Sequence, residues 1–432
     1  MTAFRPRRPR NVLFIENSIG VSGSLISLCT LLAHLDRERY APHVILSRAT
    51  QCEYVERVLG PEFPARLVPW TNSLKTVQPF AFLLDLAARY PRLPVRLLTS
   101  PVAALDIPTV ILPYVARLRR LARQAGVELI HHNNGLDVRA VLLARLLGVP
   151  LIAYQRGGEY HSPTVRYLSR FVDTYIANSD ATRLDLMKLG VPSERVSTLH
   201  PPVDLGRFDP SIDASRQRAE LGLGDRDLCF GIPGTLLKWK GHDVFLKAAR
   251  LVMEAVPEAR ALVIGEAPDG STEYREELLR LARELGIAQR TIFTGFRRDV
   301  PEMLQLLDVV VHASVSPEPF GRVIAEGMAM AKPVVAAAAG GPLEIIEQGR
   351  TGFLVTPGDP SALAEAIVAV LRDRALARRL GDNARMVAQA RFSPEAHARC
   401  VEGFYERTLR AREPAVTPGA EASTPWHRHD ES

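Results

Sequence analysis

At 432 residues the chain is long enough for two to three domains of about 150 residues, and its 47% hydrophobic and 24% charged residues exclude a fibrous or unstructured protein. The formal charge of +6 does not point to a nucleic-acid partner, because all but six of the 54 basic residues are arginines spread along the chain, with no basic stripe interleaved with aromatics. Cys29, Cys52, Cys229 and Cys400 lie far apart at neither zinc-knuckle nor disulfide-framework spacing, so no metal site is expected and a reducing, cytoplasmic setting fits.

Behind the basic segment Phe4–Arg10, the apolar run Val12–Ile15 is too short for a signal-peptide core and reads as a first strand. Further strands are predicted at His43–Leu46, Leu129–His131, Leu151–Tyr154, Thr174–Ala177 and Val196–Leu199. A second series follows at Leu228–Ile232, Ala261–Ile264, Thr291–Thr294, Val309–His312 and Val334–Ala337. Most of these runs lead into a Gly/Ser/Asn loop and then a helical pattern, which predicts two doubly wound α/β domains with parallel sheets. The junction falls in Pro201–Pro210, where proline density rises and helical periodicity stops. Ser393-Pro394-Glu395 opens a last helix that runs to about Arg412, and from Glu413 the composition predicts a disordered tail.

One segment approaches membrane-spanning length. Leu97–Ala116 carries only Asp106 as a charge, but Pro101, Pro108 and Pro113 break the backbone ladder that a spanning helix needs. Its arginine flanks leave two readings for residues 89–123: peripheral contact with an anionic membrane face, or a buried helical hairpin with a solvated basic rim, which is the commoner case.

Open parallel sheets bind ligands beyond the carboxyl ends of their strands, so the loops there are the candidate sites. The first, Glu16–Ser24, opens the helix Ser24–Leu35 with Gly20 and Gly23, which suits an anion at a helix start. It is not G-x-G-x-x-G, and no acid ends the second strand, so a dinucleotide site is disfavoured. The second, Gly231–His242, sets lysine beside glycine at a helix start, a phosphate clamp or a solvated surface lysine, and not a P-loop. The third, Ser314–Glu326, places Glu318 in the loop and Glu326 in the second helical turn, with Gly321 leaving N–H groups open between them. Those N–H groups suit a diphosphate, and the carboxylates suit hydroxyls of sugars on either side of it. The fourth, Ala339–Glu344, is a Gly-Gly loop ending in a proline-started helix, also anion-friendly; Thr351–Val355 reads as a short return strand or turn.

The E-P-F-G-R-V-I-A-E run of Glu318–Glu326 occurs in one chain with W-K-G at Trp239–Gly241, G-G-P-L-E at Gly340–Glu344, G-R-T-G-F-L-V at Gly349–Val355 and P-x-V-D-x-x-x-F at Pro201–Phe208. With these motifs the sequence resembles the retaining glycosyltransferases of family 4. The resemblance implies the GT-B architecture, two facing Rossmann-like domains around a cleft. Residues 1–203 would form the acceptor side and 204–392 the nucleotide-sugar donor side, with 393–412 a helix crossing back to the first domain and 413–432 the tail. It implies transfer from a UDP- or GDP-linked sugar to a glycan, lipid-linked or small-molecule acceptor, with neither a tightly bound cofactor nor a metal, in the cytoplasm or at its membrane face. Glu326 would hold the ribose, Glu318 the donor sugar's hydroxyls, and Lys240 the phosphates. Phe320 and Gly321 would offer backbone to the sugar and diphosphate, and the Gly20–Gly23 loop would face the diphosphate with Ser22 and Gly23 nearest. Gly234, Thr235, Lys238 and Gly341 complete the expected donor contacts.

Two departures from the family pattern stand out. Thr235 occupies the place of an arginine that usually assists the phosphate lysine, and Lys238 is its candidate replacement. Arg156 falls where the family commonly has a histidine near the reacting carbon, with His161 five residues on. An arginine can stabilise a leaving phosphate or position an acceptor, but it is no base near neutral pH. His131, His132, Asn133 and His161 are the acceptor-side candidates. A nucleotide-sugar epimerase of the same fold and a non-catalytic nucleotide- or carbohydrate-binding relative are the alternative readings.

Overall fold

A computed structural model describes residues 8–18, 20–69, 107–157, 163–267 and 272–412. His161, the expected tail and the first half of the expected membrane-facing segment lie outside the described residues.

The apolar runs form two sheets in which every strand pair is parallel. In the first, β1 (Arg10–Glu16), β2 (Tyr40–Leu46), β3 (Ala65–Leu67), β4 (Leu129–His132), β5 (Leu151–Gln155), β6 (Thr174–Ala177) and β7 (Val196–Thr198) lie in the order β3-β2-β1-β4-β5-β6-β7. The second sheet holds β8 (Leu228–Pro233), β9 (Ala259–Ile264), β10 (Thr291–Gly295), β11 (Val309–His312), β12 (Val334–Ala337) and β13 (Gly352–Val355), in the order β10-β9-β8-β11-β12-β13. Every residue of β4, β5, β11 and β12 is buried, because helices cover both faces of each sheet.

Around the first sheet lie α1 (Gly23–His34), α2 (Ala49–Leu59), α3 (Leu112–Gln124), α4 (Val138–Leu147), α5 (Pro163–Leu168) and α6 (Asp180–Lys188). Around the second lie α7 (Ser215–Glu220), α8 (His242–Ala255), α9 (Glu273–Glu284), α10 (Val300–Gln305), α11 (Arg322–Ala329), α12 (Pro342–Ile345), α13 (Pro360–Arg372) and α14 (Arg374–Arg391). The last helix, α15 (Pro394–Arg410), packs on the first sheet instead. Its Ala398, Val401, Phe404 and Tyr405 share one apolar cluster with Phe14, Leu25, Leu28 and Tyr154, in which a fully buried valine, leucine or phenylalanine contributes about 1.5–3 kcal/mol. Polar links fix its register: Tyr405 Oη lies 2.8 Å from His131 Nδ1, and Glu402 accepts the Asp36 N–H at 2.9 Å.

One short strand was not expected: Ala65–Leu67 is an edge strand with no residue fully buried, so it carried no apolar signal. Gly352–Val355, read as a short strand or turn, is a strand, paired in parallel at the edge beside β12. Within the expected membrane-facing segment, α3 buries Tyr114, Val115, Leu118 and Ala122 and leaves Arg117, Arg120 and Arg123 exposed. That part therefore matches the reading of a packed helix with a solvated basic rim. No helix among the described residues is long and apolar enough to cross a membrane.

The strand orders position the site. In both sheets the winding reverses beside the first strand, between β1 and β4 and between β8 and β11, and such switch points open crevices at the strands' carboxyl ends.

Candidate active site

On the second domain the chain leaves β8 through Gly234 (φ 145°), passes a 3-10 turn at Lys238–Lys240, and enters α8 through Gly241 (φ 71°). A Cβ on Gly241 would stand 2.0 Å from the Ala313 carbonyl oxygen, so only glycine lets this loop press on the end of β11. The approach sets Lys240 Nζ 2.5 Å from Glu318 Oε2 and 4.1 Å from the centre of the Trp239 ring. His312 Nε2 and Ser314 Oγ, both from the end of β11, reach the same carboxylate oxygen at 3.1 Å each. Burial alone would raise the Glu318 carboxyl, but the His312 hydrogen bond and the Lys240 charge outweigh it and hold the pKa down to about 2. Oε1 has no partner among the described residues, which leaves it for a ligand.

Gly340 and Gly341 brace this glutamate from behind. Their Cβ atoms would fall 2.3 Å from the Glu318 and Phe320 carbonyl oxygens, and the Gly341 N–H donates to the Glu318 carbonyl at 2.8 Å. This corrects the expectation that Gly341 contacts an anion, because its donor is already engaged. The Phe320 ring is buried and stacks on His200 at 5.5 Å. Gly321 (φ 100°) opens α11, and one turn on, the Glu326 carboxylate accepts Arg322 Nη2 at 2.8 Å. Thr235 is exposed. Lys238 is corrected: it pairs with Glu277 at 3.0 Å with its side chain 73% exposed, since two positions in a three-residue turn point well apart.

On the first domain, Glu16 ends β1 buried, and its carboxylate accepts the Ser18 N–H at 2.9 Å, Asn134 Nδ2 at 2.5 Å and Asn133 Nδ2. Above it, Ser22 caps α1 and its Oγ lies 2.8 Å from Ser18 Oγ and 2.7 Å from Ser24 Oγ, so the Gly20–Gly23 loop rests on a connected polar bed. Arg156 stacks over the Tyr154 ring at 4.0 Å and donates to the Asn133 carbonyl at 2.8 Å and to Asn133 Oδ1 at 2.7 Å. Three acceptor-side expectations are corrected here. His131 is in the core against Tyr405, His132 is buried with Nδ1 on the Gly135 carbonyl at 2.8 Å, and Asn133 is occupied by Glu16 and Arg156. Arg156 acts on this bed, through Asn133.

The two halves meet directly. Arg322 Nη1 donates to Ser27 Oγ of α1 at 2.6 Å, and Glu344 accepts the Asp180 and Ala181 N–H groups at the start of α6 at 2.7 and 2.9 Å. His200 Nε2 adds a third contact to Glu344 at 3.3 Å. Burial would raise the Glu344 carboxyl, but His200 and the two N–H groups keep it below its ordinary value. Sequence reasoning missed His312, Ser27 and His200, which lie outside the candidate loops and carried no signal. It gave no individual role to Glu16, Ser314 and Arg322, although all three lie inside those loops. Among the described residues no group of three or more His, Cys, Asp or Glu side chains is placed to hold a metal ion.

Residues 21–207 match the family described as Glycosyltransferase Family 4, and residues 213–387 match Glycosyl transferases group 1. The chain is 32% identical over 329 residues to the D-inositol 3-phosphate glycosyltransferase of Nocardia farcinica (strain IFM 10152), covering 70% of this chain and 71% of that protein. The chain is a family 4 glycosyltransferase. Similarity extends to the lipopolysaccharide core biosynthesis mannosyltransferase LpsB of Rhizobium meliloti (strain 1021), 29% identical over 63% of this glycosyltransferase and 76% of that protein. Among solved structures, HepE of Anabaena in complex with UDP-glucose superposes with a TM-score of 0.75 at 26% identity, covering 92% of this glycosyltransferase and 99% of that chain. The GT-B fold expected from the motifs is thus the fold of this enzyme.

Proposed function

We propose that the enzyme transfers a sugar from a UDP- or GDP-linked donor to an acceptor hydroxyl with retention of anomeric configuration. The observation that carries this reading is the Lys240–Glu318 pair, set beside the open start of α11 and opposite the Gly20–Ser24 loop. Lys240 and the N–H groups at the start of α11 take the diphosphate, where a fixed cation and backbone dipoles stabilise the charge that develops as the sugar departs. Glu318, anchored through Oε2, presents Oε1 to the sugar's hydroxyls and holds the reacting carbon in place. Glu326 takes the ribose hydroxyls. No essential metal is needed, because Lys240 supplies the charge compensation.

The UDP-glucose complex of HepE favours UDP as the nucleotide, and the relatives named for inositol phosphate and lipopolysaccharide core favour a polyol or glycan acceptor. A lipid-linked acceptor would bring the enzyme to an anionic membrane face, where the solvated basic rim of α3 would be compatible with peripheral contact. Thermal-shift and calorimetric screens of UDP- and GDP-sugars, followed by NMR of the product's anomeric proton, test the proposal. An inverted product ends the retaining reading, and no stabilisation by any nucleotide sugar ends the donor reading.

A further inference from the structure

Arg322 follows the glycine that opens α11, and it touches both sides of the cleft. Nη2 holds Glu326 Oε1 at 2.8 Å, while Nη1 donates to Ser27 Oγ at 2.6 Å on α1 of the other domain. Ser27 Oγ donates in turn to the Gly23 carbonyl at 3.0 Å, so its hydrogen is committed and its lone pairs accept the arginine. Gly23 also makes the path: a Cβ there would stand 2.7 Å from Arg322 Cδ, although its φ is not in the left-handed region. An exposed i, i+4 pair contributes little, but the Arg322 side chain is only 19% exposed and has a further partner from the other domain. The planar fork of arginine fixes two acceptors in set directions, which an ammonium cannot do.

We propose that Arg322 is a positioning residue that couples donor binding to domain apposition, through its bonds to Glu326 and Ser27 across the cleft. It aims Glu326 Oε2, which has no partner among the described residues, at the donor, and it draws the first turn of α1 onto the same ligand. The inference rests on the reading of Glu326 as the ribose acceptor. By linkage, a nucleotide that orders Glu326 strengthens the cross-domain bond, and loss of that bond weakens the nucleotide.

The test is calorimetric titration of UDP and of GDP into wild type, R322K, S27A, G23A and E326Q, with melting temperatures measured without nucleotide. R322K and S27A are expected to weaken the nucleotide that binds wild type by roughly five- to tenfold, about the worth of one or two hydrogen bonds, with little change in the nucleotide-free melting temperature. G23A is expected to behave like S27A, and both losses are expected to vanish in an R322A chain, where there is no side chain to displace or receive. Wild-type affinity in R322K or S27A overturns the coupling, as does a fall in nucleotide-free melting temperature that tracks the lost affinity. E326Q separates the two levels. Unchanged affinity in E326Q defeats the ribose reading itself, whereas weakened affinity in E326Q with wild-type affinity in R322K defeats only the coupling. Binding of neither UDP nor GDP to wild type defeats both.

Discussion

Glu318 Oε2 receives Lys240, His312 and Ser314 together, so the carboxylate is fixed in direction as well as in charge. Its depressed pKa means that it contributes stability above the ordinary carboxylate value of 4.5, and that this is lost only as pH falls toward about 2. The acid limb of the pH-rate profile is therefore expected to be unchanged by H312Q above pH 4.5, and a limb that moves there would place a titrating Glu318 in the turnover range. On the proposed function, replacing Lys240 by alanine removes the cation that would face the diphosphate and is expected to lower kcat by roughly 10²-fold or more in a donor assay. Gly341→Ala pushes a methyl against the Phe320 backbone and is expected to cost about 1–3 kcal/mol in denaturant unfolding. The positions of the two glutamates and Lys240, in a loop, the second turn of a helix and a helix approach, could be read from local sequence, while their expected roles came from the family motifs. The bond between Lys240 and Glu318 could not, since 78 residues separate them and only the β8–β11 pairing brings them together.

At the scale of elements, the alternation of apolar runs and helical patterns marked 11 of the strands, most plainly those buried along their whole length, such as Leu151–Gln155, Val309–His312 and Val334–Ala337. The edge strand Ala65–Leu67 and the partner of His131 were hidden for opposite reasons. One has too little burial to show, and the other is buried by a helix 274 residues further on. Helix α15 carries two linked expectations. Tyr405→Phe leaves the His131 ring without its hydroxyl partner and is expected to destabilise by about 1–3 kcal/mol in denaturant unfolding. Burial lowers the pKa of His397 from 6.5 to about 3, so the unfolded chain binds a proton that the folded one refuses between those values. Stability is expected to fall as pH drops below 6.5, by about 1.4 kcal/mol per pH unit from this residue, and H397Q should flatten that slope.

For the whole molecule, Glu344 joins α12 to the start of α6, and His200 joins both to Phe320, so one carboxylate ties the two domains together. Removing it in E344A leaves two N–H groups at a helix start without their acceptor, and small-angle scattering is expected to show a larger radius of gyration than wild type in the absence of nucleotide. Because the Glu344 carboxyl is held below 4.5, the same opening is expected in wild type only as pH falls beneath that value, and an E344A protein as closed as wild type would show that Arg322 and the covalent crossings suffice.

The return of α15 to the first sheet has a consequence for how the protein is made. Ala398, Val401, Phe404 and Tyr405 belong to the core that Phe14, Leu25 and Tyr154 begin, yet the whole second sheet is synthesised between them. The first domain therefore leaves the ribosome with one apolar groove open, and it closes only when the second domain is already complete. During that interval the groove fits α15 of its own chain and, at high concentration, the identical helix of another copy, so refolding at high concentration is expected to yield dimers exchanged at α15, detectable by size-exclusion chromatography.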